Sequence, residues 1–360
     1  MSPIKDQPRV HILGLGSIGT FTAHSVSELR LKPAVTLLLH RDSLVDAYRE
    51  SGNQIALETR EGDVVRSSGY ALEVQREGRW YQHPAPLRVP TESPTIIQHL
   101  IVSVKSTQTV AALQPLKHRL SAESTILFLQ NGCGMIDDIN SSIFPDLQTR
   151  PNYIVGVVSH GVTLNQPFHV THTGFAAMSL GLVPRSTATS AFPSSLVSDS
   201  SISSKYLLDC LPLSPRLNAT SYSYPGVLQI QLEKLAVNAF CNPLCALNDA
   251  KNAFLFTIPD TRRKLLTEIS KVILNLPELQ NVPGVRERFA IDRLEMTVNE
   301  ILTRTAETTC SMVWDLRAGR ETEVKYISGY WVKRGKEVGV PTPVNESLMQ
   351  KVMERGCRLK

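Results

Sequence analysis

The sequence predicts an α/β chain of two domains, with strands and helices alternating over residues 1–222 and helices alone over 223–360. Three observations predict it. The apolar run Val10-His11-Ile12-Leu13 leads directly into Gly14-Leu15-Gly16-Ser17-Ile18-Gly19 and then a helical stretch over residues 20–29. As far as residue 183, apolar runs of strand length alternate with helical periodicity, the pattern of a parallel sheet covered by helices. From Gly226 onward the periodicities are long and helical, and strand signals are scarce.

The opening run suits a buried parallel strand. Residues 14–19 then form a G-x-G-x-x-G fingerprint in the context it requires, strand before and helix after, as in a Rossmann-type dinucleotide-binding domain. Gly14 permits the tight turn, Gly16 lets a pyrophosphate approach the backbone, and Gly19 lets helix and strand pack closely. The turn Gly14, Leu15, Gly16, Ser17, Ile18, Gly19 is therefore the expected phosphate cradle. The helix beyond it presents unpaired N–H groups and its positive dipole end to an anion.

Val35-Thr36-Leu37-Leu38-Leu39 reads as the second strand, and it ends in His40-Arg41-Asp42. An acidic residue here serves the ribose hydroxyls of NAD, and an arginine serves the 2′-phosphate of NADP. Arg41 comes first and its planar fork suits a phosphate, so NADPH is the expected cofactor. Asp42 keeps NAD as the lesser option, or caps the helix that starts at Ser43 or Leu44.

Residues 96–104 read as a strand with Lys105 at its carboxyl end, 109–118 as a helix, and 125–129 as a strand leading to Asn131. Ligands of open parallel sheets bind outside the carboxyl ends of the strands, where Lys105 and Asn131 fall. Residues 153–164 and 168–183 read as two further strands, and a helix from Lys205 to Leu211 closes the domain. Helical periodicities then cover 226–247, 261–274, 286–305 and 323–336. Pro341 and Pro343 precede a last helix near 344–355. A cleft between the two domains is the expected site.

Within the first of those later helices, Lys234, Asn238 and Asn242 stand four residues apart, so one ammonium and two carboxamides share a face. Leu235, Val237, Ala239 and Phe240 cover the other sides. Such a polar stripe meets either water or a partner. A lone Lys-x-x-x-Asn is best read as a solvated face; alongside a dinucleotide fingerprint, a small polar ligand becomes the better reading.

Several of these motifs together resemble the ketopantoate reductase (2-dehydropantoate 2-reductase) family, nearly end to end. The glycine turn resembles that family's start, and Arg41 stands where its 2′-phosphate arginine stands. Val102-Ser103-Val104-Lys105-Ser106 resembles the segment carrying a lysine near the nicotinamide, and Leu129-Gln130-Asn131-Gly132 the amide–glycine that touches cofactor and substrate. The resemblance implies Lys234 as proton donor and Glu323 as active-site glutamate. It implies Asn131, Lys234, Asn238, Asn242, Asn252 and Ser311 as substrate contacts, and Lys105, Asn131, Val162 and Glu323 on the cofactor side. Glu321 competes for the glutamate role, but its spacing from Ser311 favours Glu323.

Two stretches depart from that family. About residues 185–204 form an insertion rich in serine, nine between Ser186 and Ser204, expected as a mobile surface loop. Residues 60–86 are more polar than a minimal member needs. Composition is that of a soluble enzyme, 42% apolar and 20% charged. A net charge of +5 from scattered Lys and Arg leaves no nucleic-acid footprint. The six cysteines, 133, 210, 241, 245, 310 and 357, contain no C-x-x-C pair and read as free core thiols with no metal. Residues 1–9 are short and polar, and no apolar run spans a bilayer, so a cytoplasmic protein without a membrane partner is expected. The oligomeric state, a homodimer included, is left open.

The chemistry expected is hydride transfer to a 2-keto acid, with the Lys234 ammonium stabilising and then protonating the carbonyl oxygen. Glu323 would orient the lysine or the nascent hydroxyl. His160 and His172 are read as structural, and Trp314 as core or cleft wall. Three readings remain: reduction of 2-dehydropantoate in pantothenate and coenzyme A synthesis, reduction of another 2-keto acid in a specialised pathway, or a binding or regulatory homologue without turnover. The glycine turn together with Lys105, Asn131, Lys234 and Glu323 weighs against the third, because a scaffold has no chemical need for them.

Overall fold

The computed structural model describes residues 8–84, 96–185 and 202–358. The chain divides into two compact units. One comprises residues up to Gln130 and Asp138–Val227, the other Asn131–Asp137 and Leu228–Lys360.

In the first unit, β1 (Arg9–Leu13), α1 (Ser17–Ser27), β2 (Ala34–Leu39) and α2 (Ser43–Glu50) open the chain. Four strands come next: β3 (Gln54–Glu58), β4 (Val64–Ser68), β5 (Ala71–Arg76) and β6 (Arg79–His83). Then come β7 (His99–Val102), α3 (Thr109–Leu113), β8 (Thr125–Phe128) and α4 (Met135–Ser142). The unit closes with β9 (Asn152–Val158), β10 (Gly161–Gln166), β11 (His169–Gly174), β12 (Met178–Leu182), α5 (Ile202–Cys210) and β13 (Ala219–Tyr222).

Nine strands form one sheet in the order β13-β12-β9-β8-β7-β1-β2-β5-β6. Its centre is parallel, with Ile12 opposite both Leu37 and Ile101. The order reverses around β1, flanked by β2 and β7, so the turn after β1 sits at the switch point where doubly wound sheets bind ligands. Both faces of these central strands are covered, which is why they read as unbroken apolar runs.

β10-β11-β3-β4 form a second sheet. Helix α1 touches β1 and β2 of the first sheet and β3, β4, β10 and β11 of the second. Gly19 to Val26 are consequently all buried, a helix covered on every side. Its polar residues find partners there: His24 Nδ1 lies 2.6 Å from Ser67 Oγ, and the Tyr70 hydroxyl donates to Ser27 Oγ at 3.0 Å.

The two long strands expected at 153–164 and 168–183 are instead four. The first breaks at Ser159 and His160. The His160 ring reaches Leu217 O at 2.8 Å and accepts the Ala176 N–H at 3.2 Å, so the chain changes sheets at this point. The expected strand 96–104 is only His99–Val102. The helix expected over 109–118 ends at Leu113 and continues as a 3₁₀ segment, Gln114–Arg119, in which Pro115 removes an amide donor. Residues 186–201 of the serine-rich stretch lie outside the described residues, and with them the loop expected there.

The second unit holds most of α6 (Tyr224–Asn248), then α7 (Pro259–Leu274), α8 (Val285–Arg288) and α9 (Ile291–Thr305). It continues with α10 (Ser311–Arg317), α11 (Val324–Glu337) and α12 (Pro343–Arg358). The single helix expected over 286–305 is two, and α10 was not anticipated. Phe240, Phe289 and Trp331 are fully buried among these helices. The buried Glu268 carboxylate accepts the Val344 and Asn345 N–H groups at 2.8 and 3.1 Å, capping α12 from a neighbouring helix. Among the described residues, no helix is long and apolar enough to cross a membrane.

Candidate active site

In the first unit the glycine turn is tied down from β7. Ser103 Oγ donates to Gly14 O at 2.6 Å. Gly14 has φ +95°, and a Cβ there would lie 2.5 Å from Val104 N. Gly19 is pressed against Gly14 O and Ser103 Oγ. Gly16 is the opposite case, exposed with nothing within 4 Å of where a Cβ would stand. The cap position of α1 is Gly16, which has no side chain to cap it. A tight turn, open backbone at Gly16 and an uncapped helix N-terminus at Ser17 fit a pyrophosphate. Leu15 and Ile18 turn inward and pack against the core.

Arg41 lies just beyond β2, exposed and with no ion pair among the described residues. Asp42 stands at the first cap position of α2 but does not cap it. Its carboxylate is instead held by Arg76, whose Nη2 donates to Oδ1 at 2.6 Å. Lys105 is half-buried and precedes a 3₁₀ turn at Ser106–Gln108. Val162 lies in β10, opposite His172, and packs against the core. Sequence reasoning gave no role to Ser103 or to Gln130. The Gln130 amide donates to Val104 O at 2.9 Å and Thr109 Oγ1 at 2.7 Å, joining the ends of β7 and β8. Ser103 lies two residues before Lys105 and Gln130 directly before Asn131, and that proximity is the signal the sequence offers.

In the second unit, the Lys234 Nζ donates to Asn131 Oδ1 at 3.0 Å. Asn131 is delivered by a segment seated on the start of α11. Gly132 has φ +88°, and a Cβ there would lie 2.7 Å from Tyr326 O. The Cys133 N–H donates to the same oxygen at 2.8 Å. Glu323, buried at 5% exposure, is the cap residue of α11. Glu321, the rival, is exposed.

Withdrawal from water pushes the Lys234 ammonium down to about 8, and the negative charge of Glu323 opposes that fall. Burial raises the Cys133 thiol, which keeps it neutral. An ammonium at about 8 remains mostly charged at neutral pH while giving up its proton far more readily than a surface lysine.

One turn and two turns on, Asn238 is half-buried and Asn242 is buried, and neither carboxamide has a hydrogen-bond partner among the described residues. Pro243 comes directly after Asn242 inside α6. Cys310 Sγ donates to Asn242 O at 3.8 Å, which brings the start of α10, and the exposed Ser311, to this stretch of α6. Asn252 is differently placed. Its Nδ2 donates to Thr305 Oγ1 at 3.1 Å and its Oδ1 accepts from Cys245 Sγ at 3.6 Å, so its amide serves the packing of this unit.

His160 and His172 meet each other at 3.1 Å between the two sheets and against the Phe21 ring, a structural pair. Trp314 is 52% exposed and not core, with the Arg317 guanidinium over its ring. All six cysteines are free, and only Cys357 is exposed. Among the described residues, no group of three or more His, Cys, Asp or Glu is placed to hold a metal ion.

Residues 10–185 match the family model described as ketopantoate reductase PanE/ApbA, and residues 226–355 the one described as its C terminal part. A probable 2-dehydropantoate 2-reductase of Schizosaccharomyces pombe is 28% identical over 348 residues, covering 94% of each chain. A ketoisovalerate reductase of Beauveria bassiana is 25% identical over 382 residues, covering 95% of this chain and 81% of its own. A structure of D-mandelate dehydrogenase with NADH and anilino(oxo)acetate is similar in fold, with a TM-score of 0.71 at 20% identity over 98% of this chain and 99% of its own.

Proposed function

Because the chain belongs to the ketopantoate reductase family, and is thus an oxidoreductase that uses a nicotinamide cofactor, we propose that it reduces 2-dehydropantoate to pantoate with NADPH. The observation that carries this reading is the half-buried Lys234, lowered to about 8, hydrogen-bonded to Asn131 and biased by Glu323, on one helix face with two unpartnered carboxamides.

NADPH would lie along the glycine turn with its adenosine 2′-phosphate at Arg41, and its dihydronicotinamide would supply the hydride. Lys105 and Asn131 are the residues that would hold its nicotinamide end. As hydride reaches the carbonyl carbon, charge grows on the oxygen, and the Lys234 ammonium stabilises it and then gives up its proton. Asn131 holds the ammonium in place, and Glu323 keeps it charged. Asn238, Asn242 and Ser311 bind the hydroxyl and carboxylate of the acid, and Asn252 supports α6 from behind. One proton is consumed per turnover, so the resting enzyme recovers it from solvent.

A second reading, reduction of 2-ketoisovalerate, is favoured by the Beauveria relative, which covers nearly the whole of this chain. The two acids differ by a hydroxymethyl group, and a site built to hydrogen-bond a hydroxyl rejects the analogue that lacks it. A panel of 2-keto acids, assayed as NADPH oxidation by the purified full chain, tests both readings. A kcat/KM for 2-dehydropantoate well above that for 2-ketoisovalerate supports the first; the reverse order supports the second.

A further inference from the structure

We propose that Arg76 is a specificity-determining residue, which occupies Asp42 and thereby turns the adenosine end of the site from NAD toward NADP. The proposal rests on the reading of Arg41 as the 2′-phosphate partner. An acid at the end of the second strand is what an NAD site uses to accept the ribose hydroxyls. This chain has such an acid, Asp42, directly after Arg41. Left free, it would favour the diol of NAD and repel the phosphate of NADP.

The sheet brings the answer to that turn. β5 runs parallel to β2, with Leu39 opposite Val74, so Arg76 ends its strand beside the residues just past Leu39. Arg76 Nη2 donates to Asp42 Oδ1 at 2.6 Å, and its Nε donates to Oδ1 at 3.0 Å and to Oδ2 at 3.3 Å. Both carboxylate oxygens are thus engaged and their charge is matched on the spot. Arg41, which has no ion pair of its own among the described residues, is then the unmatched cation of the turn.

Without Arg76, Arg41 and Asp42 cancel, and the free carboxylate can accept from a ribose. Both partners of the Arg76–Asp42 pair are well exposed, so the contact adds little to folding and its removal tests recognition.

The test is a two-residue cycle on the full chain: R76A, D42A and the double variant. Dissociation constants for NADP+ and NAD+ are measured by calorimetry, and kcat/KM with NADPH and NADH. Arg76→Ala should weaken NADP+ and strengthen NAD+, so that the preference falls by about ten- to a hundredfold, the scale of one charge-assisted contact. Asp42→Ala should leave NADP+ as tight or tighter. In the double variant the gain for NAD+ should vanish, since no carboxylate remains to make it.

A preference unchanged in R76A, or a fall in R76A that persists in full with Asp42 absent, overturns the proposal. The parent reading fails separately: wild-type protein that binds NAD+ as tightly as NADP+ counts against Arg41 as a phosphate partner and takes this proposal with it. A wild-type preference that survives R76A counts against Arg76 alone.

Discussion

Replacing Glu323 by glutamine should move the alkaline limb of the pH–rate profile to lower pH. In the reduction direction Lys234 acts as an acid, so only its ammonium form is competent. With the group at about 8, roughly nine-tenths of it is protonated at pH 7 and about one-tenth at pH 9, and kcat/KM should fall about tenfold over that interval. Burial alone would lower the group further. The charge of Glu323 opposes the effect of burial. Glutamine keeps the shape and removes the charge, so Lys234 loses its proton at a lower pH and the limb shifts with it. The effect should be small at pH 6, where both proteins remain protonated, and larger at pH 8. The assay is kcat/KM for the preferred 2-keto acid across pH, with circular dichroism to confirm folding. A folded variant whose limb stays in place, or moves to higher pH, refutes the electrostatic role. A uniform loss at every pH would move Glu323 from the lysine to the substrate.

The same geometry predicts three further outcomes. Arg41→Ala should weaken NADP+ by about one to two decades and leave NAD+ nearly unchanged, read by calorimetry, and equal losses would remove Arg41 from the 2′-phosphate. Gly132→Ala must adopt φ +88° and place a Cβ 2.7 Å from Tyr326 O, so it should cost about 1–3 kcal/mol and lower kcat through Asn131; wild-type melting and turnover would show that the segment has more room than the structure gives it. Asn242→Ala should raise KM with little change in melting, whereas Asn252→Ala should lower unfolding free energy by about 1–3 kcal/mol with KM nearly constant, and exchanged effects would return Asn252 to the substrate.

The parts of this protein that chemistry dictates by residue type were legible in the sequence. The glycine turn needs three small residues between a strand and a helix, and Gly14, Gly16 and Gly19 stand as that requires. Lys234, Asn238 and Asn242 share a face because helical spacing places them so, and α6 covers the expected stretch. What was not legible depends on partners far along the chain. The break at His160 exists because Leu217, 57 residues away, accepts from its ring, and no local turn residue announces it. The second sheet is built from short strands such as Val64–Ser68, whose half-exposed alternation reads as merely polar. Asp42 reads as a ribose acceptor or a helix cap because Arg76, which holds it, is 34 residues distant. Asn252 matched a substrate position by order in the chain, while Thr305 and Cys245 take its amide. Trp314 reads as core or cleft wall by residue type, and α10 is too short for its periodicity to show which face is buried.

Turnover of the Lys234→Ala protein tests the central claim most directly. The measurement is kcat on the preferred 2-keto acid, with NADPH affinity determined on the same preparation. Loss of the proton donor should lower kcat by at least about 10²–10⁴-fold, and by more if the ammonium also stabilises the growing alkoxide. NADPH should bind nearly as before, because its phosphates are assigned to the glycine turn and Arg41. A folded Lys234→Ala protein that binds NADPH and turns over within about twofold of wild type would contradict the account and return this helix face to solvent.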